Sequence, residues 1–294
     1  MAGSHVAFRG VRLTVELQFV VPSADLADHI TLLYHFCAEL PHFADTERAG
    51  HAQLRFRLRG DNSRYRFADG SEQTVGAIHL IGPTTGSTLS SADGPIEVIG
   101  LGLTPAGWAA LVGSDASAMV NRAVDCGTLF DDIDTVASQL QNAADVAGKV
   151  AVAEAFIRHA AGAAAGDVVE FARLVDVWLA GATSPALEAL EAATGLSRRQ
   201  VERRCKVLYG APPKMLARKY RALRAAVAVV ADGENLDDLL ARGFYDQSHL
   251  IREIKQFTGC TPRQLRANPS LLAHMTIMQR SALEGQVIPL VSQT

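Results

Sequence analysis

Two short stretches hold the densest hydrogen-bonding chemistry in the chain. From Ser197 the sequence reads SRRQVERRCKVLYG, and from Asp246 it reads DQSHLIREIKQFTG. In the first, Val201, Cys205 and Leu208 recur at i, i+4 and i+7, so a helix over them turns Arg199, Arg203 and Lys206 outward, with Arg198, Gln200 and Glu202 alongside. In the second, Leu250, Ile254 and Phe257 do the same for Ser248, Arg252 and Lys255, flanked by Gln247, His249 and Gln256. A guanidinium fork matches the guanine edge, a carboxamide matches adenine, and Lys or Arg at the rim holds phosphate. Arg203 and Arg252 could serve as backbone anchors instead of base readers. This is the chemistry of recognising double-stranded DNA, not of making or breaking bonds.

A second cluster of cations lies near the N-terminus. Leu54, Phe56 and Leu58 alternate with Arg55, Arg57 and Arg59, and after Gly60-Asp61-Asn62 the residues Tyr65 and Phe67 alternate with Arg64 and Arg66. Read as a hairpin over 60–62, this places all five arginines on one face. Such a face either points to solvent and pairs with nearby carboxylates, or forms an anion pocket for a carboxylate or phosphate effector of unknown identity. The apolar residues of the same stretch fit a core better than a ligand cavity.

Other chemistry is thinly represented. His35, Cys37 and His42 have an HxCx4H spacing, and His35 and Cys37 share a strand face, but no second close-spaced ligand pair accompanies them; neither a metal nor a cofactor is expected. The four cysteines have no CxxC spacing, and Cys205 falls on an apolar stripe. There is no GxSxG elbow, no GxGxxG run and no GxxxxGK[ST] loop, so no enzyme class is supported.

The elements that must position the basic stretches are written twice, 49 residues apart. Upstream of each stands a short helix, LEALEAATG from Leu187 and LDDLLARG from Leu236, and each copy ends in glycine and a Pro-led turn. Helix, glycine turn, helix is a helix-turn-helix. Between the copies, Pro213 to Ala231 has no internal Pro or Gly and reads as one helix, roughly 28 Å long at about 1.5 Å per residue. That approaches the roughly 34 Å between successive major-groove faces of B-DNA. With the GF…D.SHL.R..K…G.TP…R run of the second copy, the span from about Asp167 to Asn268 resembles the DNA-binding domain of the AraC/XylS family of bacterial transcription regulators. Two features depart from the family pattern: Glu191 and Leu240 stand where it has a small residue, and the second turn reads one residue short. The resemblance implies an N-terminal β-barrel that senses an effector, followed by helices that can form a homodimer.

Charge divides along the same line. Residues 184–268 hold 15 Lys and Arg against 9 Asp and Glu, whereas residues 1–183 hold 12 against 21. A basic module on an acidic body suits a protein that touches nucleic acid at one end. Ahead of the module, six β-rich runs (11–21, 30–40, 51–60, 63–68, 74–82 and 95–103) predict a small barrel or sandwich. After Leu103 the pattern turns helical, and Val146, Val150, Ala153 and Ile157 form a seam that serves either a partner or its own chain. The expected class is α+β multidomain: a β-rich sensing domain over 1–104, a helical linker region over 105–166, an all-α domain with two helix-turn-helix motifs over 167–268, and a tail over 269–294 with a helix and a short strand at VIPLV. Residues 159–167 are the chosen linker between the two main parts, and a helix over 168–180 opens the DNA module. With no secretory leader or long apolar run, a cytoplasmic location and no membrane partner are expected. The alternatives are a small-molecule-binding or enzymatic β domain with an accessory DNA-binding domain, and a regulator without an effector whose barrel only dimerises.

Overall fold

The computed structural model describes residues 6–8, 11–13, 15–127, 129–161, 165–231, 233–234, 236–240 and 243–294. Part of the chosen linker (162–164) and the end of the second short helix (241–242) lie outside the described residues. The chain opens with β1 (Val6–Phe8) paired to β2 (Val11–Leu13) as a separate ribbon. An eight-stranded antiparallel sheet follows: β3 (Val15–Val20), β4 (Ile30–Ala38), β5 (His42–Glu47), β6 (Gln53–Arg66), β7 (Glu72–Val75), β8 (Ile78–Ile81), β9 (Thr88–Leu103) and β10 (Ala123–Asp125). Its backbone is the order β10-β8-β6-β9-β4-β3, with β5 on β9 and β7 on β6.

The expected hairpin at 60–62 is not there. Residues 53–66 form one strand that pairs with β9 along its length, and the ladder slips between Arg57 and Arg59, Arg59 and Asp61, and Asp61 and Arg64. Gly60 (φ +93°) and Asn62 (φ +52°) take left-handed backbone there, and a Cβ on Gly60 would lie 2.6 Å from the Asp93 carbonyl. The signal read as a chain reversal is a set of bulges, which bend a strand without turning it back. Bent together, β6 and β9 fold the sheet over on itself. Among the described residues no ladder joins β3 to β10, so the barrel-like wrap stays open.

Two faces of this sheet are buried differently. One face packs Leu54, Phe56, Ile99 and Leu101 against α1 (Pro105–Leu111), α2 (Ile133–Asn142) and α3 (Val146–Ala160). Trp108, Ile133, Leu140, Phe156 and Ile157 share that core, so helices expected to form a separate linker region are part of the sheet domain. Ala153 and Ile157 of the seam are fully buried in their own chain. Thr104 accepts a hydrogen bond from Gly107 N at 2.8 Å and starts α1 ahead of its proline. The other face borders a cavity lined by Leu17, Phe36, Phe43 and Ile96.

The helical part comprises α4 (Gly166–Gly181), α5 (Leu187–Thr194), α6 (Arg198–Tyr209), α7 (Pro213–Val230), α8 (Leu236–Leu240), α9 (Gln247–Thr258) and α10 (Pro262–Ala267). Their core gathers Phe171, Val175, Leu190, Val201, Leu216, Leu239, Ile254 and Phe257. The tail adds α11 (Leu271–Ser281) and α12 (Pro289–Ser292). VIPLV is thus a short helix and not a strand: Pro289 has no N–H to give a ladder and sits at a helix first turn, while Leu290 and Val291 are buried.

Candidate nucleic-acid interface and cavity

The two copies fold alike. Val201, Cys205 and Leu208 in α6, and Leu250, Ile254 and Phe257 in α9, all point into the helical core. Ser197 caps α6 through hydrogen bonds from its amide and hydroxyl to the Gln200 side-chain oxygen at 2.9 and 2.7 Å. Asp246 caps α9 by accepting from His249 N at 2.7 Å. Both helices stop at left-handed glycines, Gly210 (φ +73°) and Gly259 (φ +79°). Between them α7 runs 18 residues without a break.

Of the expected DNA-facing residues, Arg198, Arg199, Gln200, Arg203, Lys206, Gln247, Ser248, Arg252 and Lys255 are all exposed. Arg198 lies 3.6 Å from Glu202 one turn on, and the Gln200 carbonyl oxygen is committed to its cap, leaving only its N–H groups outward. His249 differs from the expectation. Its Nε2 lies 3.2 Å from the buried carboxylate of Glu253 and its ring packs on Phe244, so it is half-buried at the turn with 31% of its side chain exposed. Sequence reading missed Tyr245, which is 92% exposed immediately before α9. An unburied aromatic beside a basic helix can stack on or wedge against a nucleic acid; its position just after Phe244 at the turn was the available signal.

Glu253 was also missed. Its side chain is 2% exposed and receives Arg218 Nε at 2.6 Å and Arg221 Nη2 at 2.7 Å, fastening α9 to α7. Burial raises the pKa of this carboxyl, but the two arginine hydrogen bonds outweigh it and hold it below the usual range. Nothing in the spacing distinguished this glutamate from an ordinary solvated one.

The recognition helices meet the sheet domain at their C-terminal ends. Ala49 N donates to Phe257 O at 2.7 Å and Ser87 N to Gln256 O at 2.9 Å. A Cβ on Gly259 would come within 2.4 Å of Thr46, and one on Gly210 within 2.6 Å of Val120. Connecting helix α7 joins in, with Tyr220 Oη 2.7 Å from His51 Nε2 and Lys219 Nζ 3.3 Å from Gly50 O. Burial drives His51 down to about 3, so this ring is neutral and shares one hydrogen bond with the tyrosine hydroxyl.

Behind those contacts lies the cavity, about 120 Å³ in volume. Leu272, Ala273, Thr276 and Arg280 of α11 close it, so the tail that follows the second helix-turn-helix docks on the sheet domain. The five arginines of β6 divide. Arg55 and Arg57 are buried and line the cavity, while Arg59, Arg64 and Arg66 are exposed outside it. Because the strand continues instead of reversing, even-numbered and odd-numbered positions fall on opposite sides, and the slip after Arg57 turns Arg59 out toward Glu39 at 2.9 Å. Arg66 lies 3.9 Å from Glu72.

Inside, Arg55 forms a two-pronged pair with Glu47 at 2.9 and 2.5 Å and donates to Tyr65 Oη at 3.1 Å. Burial opposes the charge of Arg55, but Glu47 more than compensates and raises its pKa. Arg57 has no such partner: its Nε and Nη1 are buried without a hydrogen bond, and the nearest carboxylate oxygen, on Asp61, is 3.8 Å from Nη2. Arg280 Nε is likewise orphaned, its guanidinium lies 5.0 Å from the Phe19 ring centre, and burial pulls its pKa down to about 10. Arg48, also lining the cavity, is pushed well below its ordinary value by burial and by Arg280. A buried guanidinium N–H without an acceptor costs about 1–3 kcal/mol. Arg57 and Arg280 each offer unpaired donors that an anion entering the cavity could meet.

Paired helix-turn-helices bridged by one helix define a DNA-binding module. Residues 190–268 match the family described as a helix-turn-helix domain, and the C-terminal module belongs to the AraC-type helix-turn-helix domains. No curated protein matches the chain. Among solved structures, ToxT from Vibrio cholerae aligns over 85% of this chain and 97% of that one, at 9% identity and a TM-score of 0.45. ToxT from Vibrio cholerae O395 bound to (E)-4-(8-methylnaphthalen-1-yl)but-3-enoic acid aligns over 79% and 96%, at 9% identity and 0.43. Unsaturated fatty acid bound wild-type ToxT from Vibrio cholerae strain SCE256 aligns over 79% and 93%, at 10% identity and 0.43.

Proposed function

We propose that this chain is a sequence-specific transcription regulator whose sheet domain takes up a small organic anion and thereby sets how two recognition helices engage adjacent major grooves. The observation that carries the reading is the placement of α11. One helix both follows the second helix-turn-helix and supplies Arg280 to the cavity. An anion between Arg57 and Arg280 would bind the barrel and the tail together, and the hydrogen bonds from Ala49 and Ser87 to α9 would pass that constraint to the DNA-facing surface.

Arg198, Arg199, Arg203, Lys206, Gln247, Ser248, Arg252 and Lys255 are the side chains proposed for DNA, with Gln200 contributing N–H groups only. The effector residues narrow from five arginines to Arg55 and Arg57, joined by Arg280. At about 120 Å³ the cavity is a little smaller than the hydrocarbon-lined cavity of about 150 Å³ that takes up benzene, which points to a small occupant. No helix among the described residues is long and apolar enough to cross a membrane, and a chain acting on chromosomal DNA would work in the cytoplasm. The seam residues Ala153 and Ile157 are consumed internally, so a homodimer would have to use another surface.

Gel-shift titration on genomic fragments recovered with the protein, with and without a panel of aromatic and short aliphatic carboxylates, tests the proposal. At least one carboxylate should change the DNA affinity of the parent and leave Arg57→Gln unaffected. Salt-independent binding to every duplex would overturn the DNA half, and no response to any anion would overturn the sensing half.

A further inference from the structure

On the sheet face opposite the cavity, three side chains of different donor chemistry converge. His35 and Cys37 stand two apart on β4, and Glu97 of β9 lies directly across the ladder from Cys37. His35 Nε2 is 2.9 Å from a Glu97 oxygen and 3.4 Å from Cys37 Sγ. All three donor atoms lie within 4.8 Å of one another. The group is largely covered, with the His35 and Glu97 side chains 14% and 16% exposed.

We propose that His35, Cys37 and Glu97 form a binding site for a thiophilic divalent ion, with Zn²⁺ the best match to a nitrogen, sulfur and oxygen donor set. Metal–ligand lengths of about 2.0–2.3 Å in a tetrahedron place donor atoms roughly 3.3–3.7 Å apart, so shifts of about an ångström close the present arrangement. One thiolate and one carboxylate balance the two charges of the ion, a neutral imidazole completes three protein ligands, and a fourth position remains for water. Closing the set releases the thiol proton of Cys37 to solvent. Glu16, the ladder partner of Cys37 on β3, adds negative charge beside the site.

Lys149 of α3 is the competitor. Its ammonium lies 3.1 Å from the same Glu97 oxygen and is 12% exposed, which makes it the cation that neutralises the carboxylate when no metal ion is present. An incoming ion must displace it, and α3 then loses its polar tie to the sheet. The two strands that would hold the ion also carry Tyr34, Phe36, Ile96 and Val98 into the cavity on their other face. Of the other three cysteines, Cys126 and Cys205 are fully buried in apolar surroundings, and the half-buried Cys260 belongs to no cluster of three potential ligands among the described residues. His42, which shares the sequence spacing, instead sits 2.9 Å from Asp93 at an exposed position. The third ligand comes from a strand 60 residues further on, which is why the sequence pattern looked incomplete.

Titration of the reduced full-length chain with Co²⁺, followed by displacement with Zn²⁺ against a chromophoric chelator, tests the site. The parent should bind one ion per chain and show a thiolate-to-cobalt charge-transfer band with tetrahedral ligand-field absorption. Cys37→Ser, a near-isosteric change, should abolish the band, and His35→Ala or Glu97→Gln should weaken Zn²⁺ by at least about tenfold. Lys149→Met should tighten it by removing the competing charge. Absence of the charge-transfer band in the parent, equal Zn²⁺ affinity in parent and Cys37→Ser, or unchanged or weaker affinity in Lys149→Met would each overturn the assignment.

Discussion

Position for position, Arg204 of the first helix-turn-helix stands where Glu253 stands in the second. Arg204 pairs with Asp167 near the surface and lies 4.9 Å from the Phe171 ring centre. Glu253 is buried between two arginines of α7. The first copy also half-buries Asp176 of α4 against the Tyr209 hydroxyl at 3.1 Å, and desolvation there raises that carboxyl to about 7. The copies present similar basic faces, yet their anchors have opposite electrostatic character. Only the second continues into the helix that closes the cavity. Duplication therefore preserves the basic outer pattern while leaving the inner anchoring free to diverge; both copies touch the sheet domain, but the second alone runs on into the helix that lines its cavity.

Four measurements would break or sharpen that contrast. Glu253→Ala leaves Arg218 and Arg221 without their acceptor and should cost about 3–5 kcal/mol in denaturant unfolding. Arg204→Ala, at a partly exposed pair, should cost less than about 1 kcal/mol beyond its lost ring contact. Similar losses for both would erase the distinction.

The pH response should differ in sign. Asp176 has a folded pKa of about 7 against an ordinary 3.8, so the folded state binds its proton more tightly. Its contribution falls as pH rises from about 4 to about 7 and is flat beyond, amounting to a few kcal/mol in order of magnitude. Glu253, with its pKa lowered, contributes fully above the ordinary carboxylate range and loses that contribution as pH falls through its folded value. Asp176→Asn should accordingly raise stability at pH 8 and flatten the profile between 4 and 7; a parallel profile would refute the assignment.

On DNA, Arg199→Ala and Arg252→Ala should each lose about 1–3 kcal/mol at a cognate site if they read bases, or flatten the salt slope by about one unit if they hold phosphate. A variant indistinguishable from the parent would remove that copy from the interface. The smallest stability changes concern Gly210→Ala and Gly259→Ala. Both place a Cβ at positive φ against the sheet domain, and about 1–2 kcal/mol of destabilisation is expected from each. Loss at only one would show that a single copy is clamped.

Legibility tracked how local the physics was. The stripes Val201–Cys205–Leu208 and Leu250–Ile254–Phe257, the caps at Ser197 and Asp246 and the stops at Gly210 and Gly259 depend on neighbours within a few residues, and they were readable. The bend in β6 was not, because Gly60-Asp61-Asn62 serves a bulge and a reversal with equal ease, and the long partner strand β9 decides between them. That one difference sent Arg59, Arg64 and Arg66 outside. Arg280 and Glu97 were invisible for a related reason: each matters through a partner from a distant segment. Tail helix α11 could be seen as a helix, but not where it docks.

Gln279 of that helix has a role beyond closing the cavity. Its amide donates to Leu17 O, and its carbonyl accepts from Phe19 N at 3.2 Å, so a single side chain satisfies two outward-facing peptide groups of β3 as another strand would. Sheets whose last strand is left bare invite a second molecule to add itself there. A chain cut after residue 268 should consequently self-associate along β3, and Gln279→Leu should move the full-length protein in the same direction.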